Sequence, residues 1–270
     1  MIRRAALLCL ALLAPPAGAG EAPRRVVSMN LCTDQLAMML ADPGQLLSVS
    51  WISRDPRSSA MAEEAQGYPV NHGRAEEIWL MKPDLVLSGT YTSRAGVEML
   101  KRLGTTVVEV PPASSLDDIP DRILTIGRAL GHEDRARAMA DDFTARLAAL
   151  RAEVDRRPSA AIYYANGYTT GDRTLAGEIL ITAGFRNIAG DSYGGHLPLE
   201  LLAMAEPDAI ITGTPYPGAS RSEEILQHPV VEALRARAAG RAVTDRDWIC
   251  GTPHVLHAID DLTAFRKTVK

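Results

Sequence analysis

The sequence predicts an α/β protein of two similar Rossmann-like lobes joined by one long rigid helix, with a ligand cleft between the lobes. Three observations carry this expectation. The first is a segment that occurs twice: residues 75–90 read AEEIWLMKPDLVLSGT and residues 199–214 read LELLAMAEPDAIITGT, an offset of 124 positions. Glu76 thereby matches Glu200, Pro83 matches Pro207, Asp84 matches Asp208, and Gly89-Thr90 matches Gly213-Thr214. Each copy reads as a short helix, a Pro-Asp break, a buried strand and a Gly-Thr exit into a loop. The second observation is that strands alternate with helices on both sides of the middle, as in mostly parallel sheets. The third is a long Ala-, Arg-, Asp- and Leu-rich helical stretch between the two copies.

The elements follow in order. Residues 24–115 are assigned to an N-terminal lobe, opened by the strand Arg25–Met29, a polar loop Asn30–Asp34 and a helix from Gln35 to Leu40. Leu46–Trp51 and Tyr68–Asn71 read as further strands before the first repeat copy. A helix carrying apolar Val97, Leu100 and Leu103 ends at Gly104, and the strand Thr106–Val110 stops at Pro111-Pro112. Residues 116–158 are assigned to connecting helices, Leu116–Leu130 ended by Gly131, then Glu133–Arg157. In the second of these Phe143, Leu147, Leu150 and Val154 share one face. A helix of about 22 residues is about 33 Å long, enough to reach from one small lobe to the other.

Residues 159–270 form the C-terminal lobe. It begins with the strand Ala161–Tyr164 and the loop 165–171, followed by a helix from Leu175 to Ala183 stopped by Gly184. The loop 191–196 leads to the second repeat copy. A helix at Val230–Ala238, a strand at Ala242–Thr244, the loop 245–253 and a final helix Val255–Lys267 complete the order.

Composition narrows the function. The chain is 46% hydrophobic and 23% charged, ordinary for a globular protein with a full core. Residues 1–19 read as an export signal: Arg3 and Arg4, an apolar run from Ala5 to Ala14, then Ala17-Gly-Ala19. Removing Arg3 and Arg4 from the 29 basic residues leaves 27 against 33 acidic ones, a net charge of −6. That balance, with no dense Lys/Arg run, argues against nucleic acid as a partner. The apolar run is too short to span a bilayer. Cys9 lies inside the run and not at its end, so the mature chain is expected free in a bacterial periplasm and not lipid-anchored.

At RVVSMNLCTDQL, EEIWLMKPDLVLSGT, GTTVVEVPP and the long mid-chain helix, the sequence resembles the periplasmic substrate-binding proteins that deliver ferric siderophores, haem or cobalamin to ABC importers. The resemblance covers nearly all of residues 24–267. It implies two α/β lobes, a shallow cleft, a rod helix that limits closure, and a monomer serving an inner-membrane permease dimer. It implies no resident cofactor. An iron-siderophore complex is the first expected cargo, corrinoid the main alternative and haem the third. The resemblance also implies one surface glutamate per lobe that pairs with permease arginines, and the repeat puts Glu76 and Glu200 at those motif positions. The related metal-ion receptors gather His and carboxylate ligands from several cleft loops. His72 could be one such ligand, yet no set assembles around it, which argues against a bare ion as cargo.

In doubly wound sheets ligands bind beyond the carboxyl ends of the strands. That rule selects Asn30, Cys32, Trp51, Arg54, His72, Arg74, Tyr91 and Arg94 in the first lobe. In the second it selects Asn166, Tyr168, Tyr193, His196, Tyr216, Trp248 and Cys250. Aromatic faces with guanidinium and imidazole groups suit a large, partly planar ligand bearing carboxylate, amide or catecholate groups. Trp51, Tyr91, Tyr168 and Trp248 lead this set. Cys32 and Cys250 are the only cysteines of the mature chain. They are open to three readings: a disulfide pinning the lobes, idle thiols, or soft ligands for a metal centre.

An enzyme is the competing class. The chain has no G-x-S-x-G elbow, no H-E-x-x-H and no Walker motif. Asp141-Asp142 and Asp260-Asp261 are helix neighbours that point apart and share no site. His254 and His257 share a helical face with Cys250 a turn earlier, a spacing that can hold a metal or simply pack. A small metal-dependent periplasmic enzyme is therefore the second class, and a non-enzymatic receptor the first.

Overall fold

A computed structural model describes residues 21–151, 154–215, 218 and 220–269. The export-signal residues 1–19 and Tyr216 lie outside the described residues. Among those described, no helix is long and apolar enough to cross a membrane.

Five parallel strands make the first sheet, in the order β3-β2-β1-β4-β5. These are β1 (Val26–Ser28), β2 (Leu46–Ser50), β3 (Val70–Asn71), β4 (Leu85–Gly89) and β5 (Thr106–Val110), with helices α1 (Leu31–Leu40), α2 (Ala75–Leu80) and α3 (Arg94–Arg102) between them. The central strands β1 and β4 are buried along their whole length, as a sheet covered on both faces requires. Helix α1 starts earlier than the expected Gln35. Asn30 is extended and its Oδ1 accepts the Cys32 N–H at 3.0 Å, so an N-cap converts the expected polar loop into the first helical turn.

Four parallel strands make the second sheet, in the order β11-β10-β6-β8. Its elements are β6 (Ser159–Tyr163), β7 (Tyr168–Thr169), α6 (Leu175–Thr182), β8 (Arg186–Asn187), β9 (Gly195–His196), α7 (Leu199–Ala205), β10 (Ala209–Gly213), α8 (Pro229–Arg237), β11 (Ala239–Val243) and α9 (Val255–Arg266). Strands β7 and β9 form a separate antiparallel pair. Helices α4 (Ile119–Leu130) and α5 (Glu133–Leu150) join the two sheets.

The repeat is structural. β4 and β10 stand at the same 124-residue offset as the sequence copies, as do the starts of α2 and α7. Before each matching proline a non-glycine residue is left-handed, Lys82 at φ 50° and Glu206 at φ 40°. The aspartate after each proline holds the entry of its lobe's first strand. Asp84 accepts from the Arg24 and Arg25 N–H groups at 2.8 and 3.0 Å. Asp208 accepts from the Ser159 N–H and hydroxyl at 2.7 and 2.8 Å.

Helix α5 has 18 residues, about 27 Å of rise. Its buried stripe is Ala136, Ala140, Phe143 and Leu147. The rod ends at Leu150, short of the expected Arg157, because the chain must extend into β6 and Pro158 disfavours helix at the residue before it. Val154 consequently leaves the stripe. At the α4–α5 contact Gly127 has no substitute: a Cβ there would lie 2.1 Å from the Ala136 Cβ. A single buried apolar cluster runs from Val26 in β1 through Ile126 and Phe143 to Phe265 in α9, so the lobes share one core.

Asp34, in α1, is fully buried. Its Oδ2 accepts from the Ser50 N–H at 3.0 Å, the Ser53 hydroxyl at 2.6 Å and the Ser50 hydroxyl, while Oδ1 is buried with no hydrogen-bond partner among the described residues. Burial outweighs these donors and pushes the carboxyl above its ordinary value of 3.8. A raised folded-state value favours the folded protein below the unfolded value and loses that advantage as pH rises through the folded one. Relative to Asp34→Asn, the wild type should therefore lose stability as pH is raised from about 4. Denaturant melts of both proteins across pH measure the difference, and a flat difference refutes the assignment.

Candidate functional site

Each sheet has one point where successive strands depart in opposite directions, between β1 and β4 in the first and between β6 and β10 in the second. Loops diverge at such a point and leave a crevice beyond the carboxyl ends. A recess lies at both. The first, about 80 Å³, is lined by Asn30 and Cys32 after β1, Gly89 to Tyr91 after β4, and Pro111-Pro112 after β5. Ile249 and Gly251 complete its wall from the other lobe. The second, about 140 Å³, is lined by Tyr164 and Ala165 after β6, Gly213 and Thr214 after β10, and Thr244 after β11, with Arg57 contributed by the first lobe. Neither volume would hold a molecule the size of a macrocycle. Each recess is lined by residues of both lobes.

Exposed aromatic side chains occur on both lobes, and one of them, Tyr91, lines the first recess. Trp51, at the carboxyl end of β2, is 54% exposed and Tyr91, after β4, is 89% exposed. Tyr168 and His196 face each other across β7 and β9, rings edge to face at 6.3 Å. Tyr193 is exposed and carries the Arg173 guanidinium 5.8 Å above its ring. Asn166 is held left-handed at φ 56° by the donation of its N–H to the Ser222 carbonyl at 2.6 Å. On the first lobe Arg74 and Arg94 are exposed at the starts of α2 and α3, and His72 is exposed with its Nδ1 3.2 Å from a Glu77 carboxylate oxygen.

Four expected residues have other work. Trp248 is buried at 8% exposure within the shared core, because the loop after β11 folds inward beneath α9. Arg54 donates to the Ala65, Gln66 and Tyr68 carbonyls, which commits its guanidinium to the turn before β3. Cys32 and Cys250 are joined in a disulfide with Cα atoms 5.1 Å apart, so neither offers a thiolate to a metal. The bridge ties the first turn of α1 to the loop before α9.

Other contacts accompany it. Gly251 lies so close that a Cβ would stand 2.2 Å from the Ala113 Cβ. The Arg57 guanidinium donates to the Thr214 carbonyl and the Arg246 guanidinium to the Ala60 carbonyl at 3.4 Å, both from one lobe to the other. Arg57 and Ile249 were missed from sequence. Nothing local separates Arg57 from Arg54, and an exposed isoleucine beside a buried Trp and Cys has no periodic signature.

Glu76 and Glu200 are exposed in the first turns of α2 and α7. Exposed apolar side chains accompany them, Trp79 and Leu80 on α2, Leu201 and Met204 on α7.

The model of a periplasmic binding protein family matches residues 26–247. The chain belongs to that family. Members of that family are substrate-binding transport proteins. The cobalamin-binding protein of Halobacterium salinarum is 29% identical over 231 residues, 82% of this chain; the chain spans 63% of that relative's length. The vitamin B12-binding protein of Pectobacterium carotovorum subsp. carotovorum is 27% identical over 201 residues, 71% of each chain. Among solved structures, the periplasmic heme-binding protein RhuT from Roseiflexus sp. RS-1 aligns with a TM-score of 0.76 at 22% identity, over 92% of this chain and 99% of that one. The periplasmic vitamin B12-binding protein BtuF of Vibrio cholerae aligns at 0.70 and 20% identity, over 92% and 98%. At such identities these structures establish the two-lobed fold that this periplasmic binding protein shares.

Proposed function

We propose that this periplasmic binding protein is a monomeric receptor for a cobalt corrinoid, carried across the cleft floor and handed to a permease dimer. The reading is supported by two switch-point recesses, each lined by both lobes, together with the exposed aromatic side chains of Trp51, Tyr91, Tyr168 and Tyr193, which in this reading flank the cargo. Exposed aromatic faces suit a broad, rigid, partly apolar cargo with polar edges. Two relatives that match 71–82% of the chain are named for cobalamin, which moves corrinoid ahead of the iron-siderophore complex that the sequence suggested first. One observation favours haem as a second reading: Tyr168 and His196, both able to ligate iron, face each other across the antiparallel β7–β9 pair.

Calorimetric titration with cyanocobalamin, haemin and a ferric hydroxamate separates the three. Cyanocobalamin should bind most tightly, and Trp51→Ala and Tyr91→Ala should each weaken it by about 1–3 kcal/mol, the range for loss of an aromatic anchor. The chromophore should quench the fluorescence of exposed Trp51 far more than that of Trp79 on α2. Tighter binding of haemin or hydroxamate overturns the corrinoid reading, and unchanged affinity in both variants overturns the position of the site.

A further inference from the structure

Beside the cleft, and independent of its cargo, lies a second cluster of ligating groups. Asp247, in the turn after β11, approaches His254 and His257 at the start of α9, and one ligand atom from each lies within 4.8 Å of the others. Asp247 Oδ1 and His254 Nε2 are both buried, and among the described residues neither has a hydrogen-bond partner. Buried polar atoms left unpaired are costly unless something satisfies them. The other oxygen of Asp247 is engaged by Arg246 at 3.6 Å, which leaves Oδ1 as the free acceptor.

The arrangement is preorganised. Histidines three apart on a helix share a face, and the two imidazoles lie 5.6 Å apart, centroid to centroid. The segment between Asp247 and His254 is anchored by buried Trp248 and by the disulfide at Cys250, so the aspartate is held against the helix.

We propose that Asp247, His254 and His257 bind a divalent transition-metal ion of the zinc class at the junction of the lobes. Two imidazole nitrogens and one carboxylate oxygen, with bonds of about 2.0–2.2 Å and a fourth position open, suit such an ion. Contraction to that geometry requires rotation of His257, which is exposed and free to turn. The sequence drew attention to Cys250 as a third ligand; Asp247 takes that place because Cys250 is oxidised.

The test uses the mature chain stripped with a chelator and titrated with Co²⁺, read by visible absorption, and with Zn²⁺, read by calorimetry. One ion per chain is expected, with ligand-field bands for Co²⁺ and at least a tenfold weaker affinity in His254→Ala, Asp247→Asn and His257→Gln. His257→Gln alters an exposed side chain and keeps the test independent of folding defects. Absence of Co²⁺ bands in the wild type, or unchanged affinity in the His257 variant, overturns the site.

Discussion

Reversing the charge of Glu76 and Glu200 together, to lysine, should abolish uptake while leaving cargo affinity within about twofold of wild type. Both carboxylates are exposed in the first turns of matching helices, one per lobe, and exposed apolar side chains flank each. Their local effect on helix stability is small, a few tenths to about 1 kcal/mol each. Facing basic groups on a partner, the same substitutions replace attraction with like-charge juxtaposition, a penalty of several kcal/mol. A symmetric permease offers the same patch twice, which is what two equivalent acids on a rigid frame can meet. Cellular uptake, calorimetry with cargo, and capture by reconstituted permease give the three readouts. Lost cargo affinity with normal capture would move both residues from the docking surface into the ligand site.

The second large effect belongs to the disulfide. Cys32 and Cys250 are separated by 218 residues, so the bridge closes nearly the whole chain into one loop. In the chain-entropy model a loop of that size constrains the unfolded state by about 5 kcal/mol. Replacing both cysteines by serine should lower the unfolding free energy by about 4–5 kcal/mol and the melting midpoint by about 8–20 °C, measured by denaturant and thermal melts. A loss below about 1 kcal/mol would show that the shared core alone sets the relation between the lobes.

The repeat was legible because it has a local cause. A helix, a left-handed residue, Pro-Asp and a strand are each dictated by neighbours in sequence, and the copies at Lys82 and Glu206 agree down to the sign of φ. Boundaries governed by single contacts were not. Asn30 looked like loop because a capping side chain and a loop side chain have the same composition; only the Cys32 N–H separates them. The β7–β9 pair has two residues per strand, too few for any alternation to register. Trp248 was misread because burial of a loop depends on what covers it, and its cover, the shared core beneath α9, comes from elements far away in sequence. The two switch points followed from the strand order, and loops the sequence marked after β1, β4, β6 and β10 line the recesses there. Which of two neighbouring arginines turns across the cleft, Arg57 rather than Arg54, was decided by tertiary structure alone.

The disulfide, the seated Gly251 and the continuous core together bear on traffic at the membrane. Lobes tied in this way cannot swing apart and together with each load, so Glu76 and Glu200 keep one spacing whether the cleft is full or empty. With docking through these two glutamates as proposed, an unloaded molecule offers the transporter the same grip as a loaded one. Surplus receptor becomes a competitor of its own delivery, and uptake at limiting cargo should pass through a maximum as receptor abundance rises.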